Sequence, residues 1–267
     1  MRHSRLLSYV AAIPRKVARR PGTPTPDHGE AADLAWATHP QIRRVTTTEL
    51  GVLMQMKVAL VAGCAGTRSL RDFGGLYLVH GKYLLEPAVA LGAEFASMID
   101  LTPRTEFAAA IEKARSTLPG LEVEFVNHDF RDPELYKSLR AVDTSILFEV
   151  LLHQENYISV LQSVASKTER YICIAQPCLK EAMLGLPGSA SLLQFWPESL
   201  KNNYRATYWP AEPRTERFDT ASWMWGHTVS HLIAVMHGIG WIVDDGEIIE
   251  TVYGQYWDYP LLRFRRE

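Results

Sequence analysis

Four carboxylates sit where a sheet would present them to a ligand. Asp72, Asp100 and Asp129 each stand at or next to the end of a strand-like run, in "RSLRDF", "FASMID" and "LEVEFVNHDF", and Glu149 follows the run "DTSILF". An open α/β sheet binds ligands outside the carboxyl ends of its strands, so acids at those ends face one shared crevice. Gly74 and Gly75 directly follow Asp72-Phe73, and their missing side chains let a ligand approach backbone N–H groups. Asp100, 28 residues beyond Asp72, stands where a carboxylate can accept both hydroxyls of a ribose. Asp129, followed by the ring of Phe130, stands where it can take an exocyclic adenine amine under an aromatic cover. A strand-ending acid is also a common helix cap, so order and spacing carry this nucleotide pattern more than any one residue.

The histidines supply candidate bases. His153, in "LLHQ", lies just past the fourth run, on the side where a reacting group would emerge. An imidazole there titrates near neutrality without perturbation, as a general base requires, and can equally hold a structural hydrogen bond. His128 alternates to the opposite face from Asp129. His227 and His231 stand four apart in "WMWGHTVSHLIAVM", read as one helix, so they share a face. That is also the spacing of a metal pair, but no HExxH glutamate lies between them and no third ligand is evident, so no metal is expected. His227 can instead point into a substrate pocket, which leaves His153 and His227 as the catalytic candidates. Phe195, Trp196, Tyr204, Tyr208, Trp209, Trp223 and Trp225 crowd into one region and suit either core or an apolar acceptor pocket.

The elements that must position these residues follow from periodicity. Helical patterns in "ELGVLMQMKVALVAG", "GKYLLEPAVALGA", "PRTEFAAAIEKARSTLPG", "DPELYKSLRA" and "NYISVLQSVASKT" alternate with strand-like runs ending in "RYICIAQP". Pro87 is expected to bend or restart its helix. Such alternation predicts a doubly wound, mainly parallel, Rossmann-like α/β sheet. The pattern breaks over 178–220, an irregular aromatic-rich insertion read as a lid or pocket. A helix over 221–240 follows, then "WIVDDGEIIETVYG" and "PLLRFRRE" as an antiparallel C-terminal hairpin. Asp244 and Asp245 read as a hairpin turn, and Arg263, Arg265 and Arg266 as a solvated end.

The series "DFGG…G", "MID", "NHDF" and "DTSILFEVLLHQ" resembles the class I S-adenosylmethionine-dependent methyltransferases over roughly residues 46 to 250. The resemblance implies S-adenosyl-L-methionine as cofactor. It also implies a first glycine turn holding the methionine part, on Asp72, Gly74 and Gly75, and a ribose acid on Asp100. Adenine would be contacted by Asp129 with Phe130, and the cofactor and substrate entrance lined by Glu149 and Val150. The departure is in the turn: family members show a GxGxG-like pattern, whereas "GGLYLVHG" is longer and places Leu76, Tyr77 and Leu78 where a third glycine is expected. Gly81 and the Tyr83 hydroxyl are then expected to take over contacts. A nicotinamide-dependent oxidoreductase is the nearest rival, although its compact GxGxxG and ribose acid about 20 residues on fit this chain poorly. No GxSxG elbow marks a serine hydrolase. A non-catalytic binding protein on the same fold is the alternative from another class.

At 267 residues, 47% hydrophobic and 22% charged, the chain suffices for one large domain, expected over 31–267. A basic tail with a Pro-, Gly- and Thr-rich linker is expected over 1–30. The net charge of −2 gives no electrostatic reason to expect nucleic acid. The apolar run "LLSYVAAI" is too short to span a bilayer, and three cysteines without metal spacing suit a reduced, cytoplasmic protein. The expected partner is a small-molecule methyl acceptor, with transfer to oxygen favoured over nitrogen or carbon.

Overall fold

Apolar runs bounded by turn residues become strands here, and segments with apolar side chains three and four apart become helices. The computed structural model describes residues 39–267 except 48, 77–78, 102–104, 185–187, 197, 202–223 and 251–254. The expected basic tail, and most of the second half of the 178–220 insertion, lie outside the described residues.

In chain order the elements are β1 (Ile42–Val45), α1 (Leu50–Ala62), β2 (Ser69–Phe73), α2 (Lys82–Leu91), β3 (Phe95–Asp100), α3 (Thr105–Thr117) and β4 (Glu122–Asn127). Next come α4 (Pro133–Ser138), β5 (Val142–Phe148), a 3-10 turn (Leu151–His153), α5 (Tyr157–Ser166) and β6 (Thr168–Ala175). The remainder are β7 (Cys178–Leu179), α6 (Glu181–Leu184), β8 (Ala190–Leu192), a second 3-10 turn (Leu193–Phe195), β9 (Trp225–His227), α7 (Val229–Gly238), β10 (Trp241–Ile249) and β11 (Trp257–Arg266). The main sheet is ordered β1-β10-β11-β6-β5-β2-β3-β4, with β7 paired to β11. β4, β3, β2, β5 and β6 run parallel. β11 lies antiparallel between β6 and β10, and β1 joins β10 in parallel.

The chain steps outward from β2 through β3 to β4, then returns to lay β5 against the other side of β2. Strand order therefore reverses between β2 and β5, and the loops after those two strands border the crevice. The expected doubly wound sheet with an antiparallel C-terminal hairpin is the fold observed. Alternate strand residues feed two cores. Phe73, Leu147, Ile174 and Phe264 pack under α4, α5 and α7. Leu70, Met98, Ile146 and Leu261 pack under α1, α2 and α3. A smaller cluster of Leu152, Leu179, Trp196, Leu200, Met224 and Trp257 joins the insertion to the segments beyond β5 and β6.

One strand is added, and four local expectations, among them a helix restart at Pro87, are corrected. β1, in "QIRRV", has no local signal strong enough to mark it and is specified by its partner β10. Residues 225–227 form strand rather than helix, pairing with β8, because Gly226 fits against Trp196 and Leu179 only without a side chain and Thr228 caps α7 by accepting from the His231 N–H at 3.3 Å. α2 runs as one helix through Pro87. Asp244 and Asp245 lie inside β10 at a bulge, not in a turn, because Arg263 of β11 faces them across the ladder and donates to Asp244 at 2.7 Å. Of the C-terminal arginines expected at a solvated end, Arg265 and Arg266 are exposed, Arg266 donating to the carbonyls of Ala165 and Thr168 at 3.0 and 2.6 Å, whereas Arg263 is drawn in against Asp244.

Candidate functional site

Asp72 lies in register with Met98 of β3 and Ile146 of β5, at the point where strand order reverses. It is 1% exposed, and neither carboxylate oxygen has a hydrogen-bond partner of good geometry among the described residues. Burial, reinforced by the charge of Asp100, pushes its pKa up to about 8. A Cβ on Gly75 would overlap this carboxylate, so only glycine lets the turn fold back over Asp72.

The lengthened turn closes on itself. The His80 N–H donates to Leu76 O and the Gly81 N–H to Gly75 O, each at 3.2 Å. Gly81, at φ +77°, then opens α2, where a side chain would meet the Phe107 ring at 2.5 Å. The Gly74 N–H donates to Ile99 O at 2.8 Å, and the Leu76 N–H reaches the Asp100 carboxylate at 3.3 Å. Asp72, Gly74, Gly75, Gly81 and Asp100 are thus gathered around one turn. Leu76 is buried within it, while Tyr77 and Leu78 lie outside the described residues. The Tyr83 hydroxyl stands by the same group: burial and the charges of Glu149 and Asp72 raise its pKa.

The segments after β4 and β5 pack onto this turn. A Cβ on Gly74 would lie 2.9 Å from Val150 Cγ1 and 3.5 Å from the Phe130 ring, which itself meets Phe73 edge-on at 6.0 Å. Asp129 stands next to Phe130, but its carboxylate is engaged by Arg131, whose Nε lies 2.9 Å from both oxygens. These bonds, with the charge of Arg131, hold Asp129 below the usual carboxylate range.

Glu149, at φ +58°, is with His80 one of two side-chain-bearing residues at positive φ among the described residues. Its N–H donates to Ala175 O at 2.7 Å, which levels the ends of β5 and β6. Its carboxylate takes the Lys57 ammonium at 2.5 Å and accepts from the Tyr259 hydroxyl. Burial acts against its charge, but Lys57 and Tyr259 outweigh it and keep the carboxyl below its ordinary pKa. Lys57 belongs to none of the sequence motifs. It falls on the buried stripe Leu53, Lys57, Leu60 and Val61 of α1, and a lysine at apolar spacing was the signal to notice.

The two histidine candidates are separated. His153 ends the 3-10 turn after β5 and is exposed. His227 is fully buried at the end of β9, in a cluster with Gln176, which follows β6, and Tyr157, which opens α5. The Gln176 amide donates to His227 Nδ1 at 2.9 Å, leaving Nε2 to carry the proton, and Nε2 has no partner among the described residues. Burial and the neighbouring His231 push its pKa down to about 3. Both ring nitrogens of His231 are engaged: its Nδ1 faces Gly188 O at 3.0 Å and its Nε2 the Tyr157 hydroxyl at 2.5 Å. Of the insertion aromatics, Trp196 is core and packs against Trp257 at 5.6 Å, Trp225 packs on Tyr157 at 5.3 Å, and Phe195 is exposed. Tyr204, Tyr208, Trp209 and Trp223 lie outside the described residues.

No protein-family model matches the sequence, and no curated protein matches it. Solved structures do share its fold. An O-methyltransferase family protein from Burkholderia thailandensis is 17% identical with a TM-score of 0.53, over 80% of this chain and 56% of that one, so this chain spans little more than half that neighbour's length. The 1,6-didemethyltoxoflavin-N1-methyltransferase of the same organism, solved with its namesake compound and S-adenosylhomocysteine, is 14% identical with a TM-score of 0.51, over 80% and 77% of the two chains. Magnesium protoporphyrin IX methyltransferase from Synechocystis, with S-adenosylhomocysteine bound, is 17% identical with a TM-score of 0.50, over 80% and 84%. The chain has the fold of the class I S-adenosylmethionine-dependent methyltransferases. No helix among the described residues is long and apolar enough to cross a membrane.

Proposed function

We propose that this chain is an S-adenosylmethionine-dependent methyltransferase that acts on a small molecule and transfers the methyl group to oxygen. The observation that carries the proposal is the buried Asp72 carboxyl beside Asp100, with no hydrogen bond of good geometry among the described residues, under a glycine turn at the point of strand reversal. An unpaired buried acid is costly, and a cationic ligand group relieves that cost. Neighbours of this fold that hold S-adenosylhomocysteine support the same cofactor here.

When bound, S-adenosylmethionine supplies a methyl carried on a sulfonium, and the chain's task is alignment and exclusion of water. Asp72, Gly74, Gly75 and Gly81 would hold the methionine part, and Asp100 would accept from the ribose. Phe130 would cover the base, and Asp129, shared with Arg131, would meet the adenine edge. His153, exposed beyond β5, takes the proton of an acceptor hydroxyl. His227 is too weak a base for that step at neutral pH, and its Nε2 proton instead orients an acceptor oxygen. The cytoplasm is the proposed compartment, in keeping with three unpaired, buried cysteines.

A non-catalytic reading is favoured by one observation, the close seating of Val150 and Phe130 against Gly74. Titration calorimetry with S-adenosylhomocysteine and with NAD separates the readings. The wild type should bind S-adenosylhomocysteine, and Asp100→Ala should bind it at least about tenfold more weakly, since hydrogen bonds to a charged acceptor are lost. Binding of NAD alone would overturn the methyltransferase reading, and binding of neither would favour the non-catalytic one.

A further inference from the structure

We infer that Lys57 is a positioning residue for the cofactor: acting through Glu149, it sets the gap between the segment after β5 and the glycine turn. The inference rests on the methyltransferase reading.

Lys57 belongs to α1, which precedes the first strand of the parallel set and carries none of the motif residues. It is 4% exposed on a stripe otherwise made of Leu53, Leu60 and Val61. A lysine in such a place requires a counter-charge, and the counter-charge is Glu149 at 2.5 Å. Three rings frame the ammonium, Tyr259 at 5.0 Å, Tyr83 at 5.1 Å and Phe148 at 5.9 Å from their centroids. Cation–π attraction in this frame fixes where the charge sits and therefore where it draws the carboxylate.

What the carboxylate holds is the strained step of the chain. Glu149 stands at φ +58°, a conformation that side-chain-bearing residues keep only when their surroundings over-determine it. Here the surroundings are the Lys57 ammonium, the Tyr259 hydroxyl and the bond from the Glu149 N–H to Ala175 O. The next residue is Val150, whose Cγ1 lies 2.9 Å from where a Gly74 side chain would begin. A relaxation at Glu149 is therefore delivered by Val150 directly to Gly74. Tyr83 links the same two parts, since its hydroxyl feels the charges of both Glu149 and Asp72. The chain of contact runs from Lys57 to Glu149, to Val150, to the turn, and Lys57 itself touches none of the residues assigned to the cofactor except Glu149 and Tyr83.

The test is calorimetry with S-adenosylhomocysteine on four variants, with thermal unfolding recorded for each. Lys57→Met should weaken binding at least about tenfold, while Lys57→Arg, which keeps the charge but not the shape, should lose less than Lys57→Met. Tyr259→Phe removes one hydroxyl from the same carboxylate, disturbs packing least, and should weaken binding by about three- to tenfold, so that the inference remains testable should Lys57→Met fail to fold. In a Glu149→Gln background, Lys57→Met should add less than about twofold, because residues acting through one another are not additive. A merely structural lysine would lower the unfolding temperature and leave affinity unmoved. The inference is overturned if Lys57→Met and Tyr259→Phe bind as the wild type does, or if the loss from Lys57→Met persists undiminished beside Glu149→Gln. A wild type that fails to bind S-adenosylhomocysteine overturns the methyltransferase reading and this one with it, whereas a binding wild type with unaltered variants overturns this one alone.

Discussion

A carboxyl group packed against a glycine, with no hydrogen bond of good geometry among the described residues, is a cost that a folded chain carries for a reason outside folding. Asp72 is that group, with its pKa raised by burial and by Asp100 from the ordinary 3.8 to about 8. The native state keeps a proton that the unfolded chain has already released above about pH 4, so this residue's contribution to stability falls as pH rises from about 4 to about 8. Asp72→Asn removes that loss. Its gain in unfolding temperature over the wild type should be larger at pH 9 than at pH 5 by at least about 3 °C, given about 2–4 °C per kcal/mol in a chain of this size. Scanning calorimetry at the two pH values measures it, and an equal gain at both would mean that a counter-charge already serves Asp72 in the folded protein. His227 shows the same physics in reverse: a buried imidazole with its pKa near 3 stays neutral, which suits a hydrogen-bond donor and not a base.

Among the elements, the β10–β11 hairpin depends on charge inside the ladder. Arg263 and Asp244 are 14% and 24% exposed and meet at 2.7 Å, so Arg263→Met leaves a half-buried aspartate facing no cation on that strand except Arg265. A loss of ~2–4 kcal/mol is expected in urea unfolding. Adding Asp244→Asn should restore part of it, and a double variant no more stable than the single one would show that the pair does not hold the hairpin. This pair also marks where sequence reading succeeds and fails. "FASMID" was legible as a strand because six successive residues suit a strand buried on both faces, and it matches β3 end to end. That Asp72, Gly74, Gly75 and Asp100 lie together was legible because they follow the ends of neighbouring strands β2 and β3. "DDG" taken alone is turn chemistry, and only Arg263, nineteen residues away, makes it a strand. Likewise the four-residue spacing of His227 and His231 suits a helix until Gly226 and Thr228 divide it. Lys57 was missed because periodicity registers its neighbours as apolar and says nothing of the acid that its ammonium must meet.

On the scale of the whole molecule, the central strands come from distant parts of the chain. β11 lies between β6 and β10 and brings Tyr259 to Glu149, Trp257 to the insertion cluster and Leu261 to the core beneath α1. Removing residues 257–267 should therefore abolish cooperative unfolding, followed by near-ultraviolet circular dichroism, rather than trim an edge. A truncated chain that keeps a sharp transition would show that β6 and β10 can close without β11. The same placement of β11 and β10 imposes a timetable on biosynthesis. β1 waits for a partner about 200 residues further along, which at ~5–20 residues per second takes some ten to forty seconds to emerge. During that interval β1 presents unpaired backbone to the cell, and the side of β6 that β11 will cover does so for the roughly 90 residues that separate those two strands, so shielding of the nascent chain is favoured until β11 has emerged.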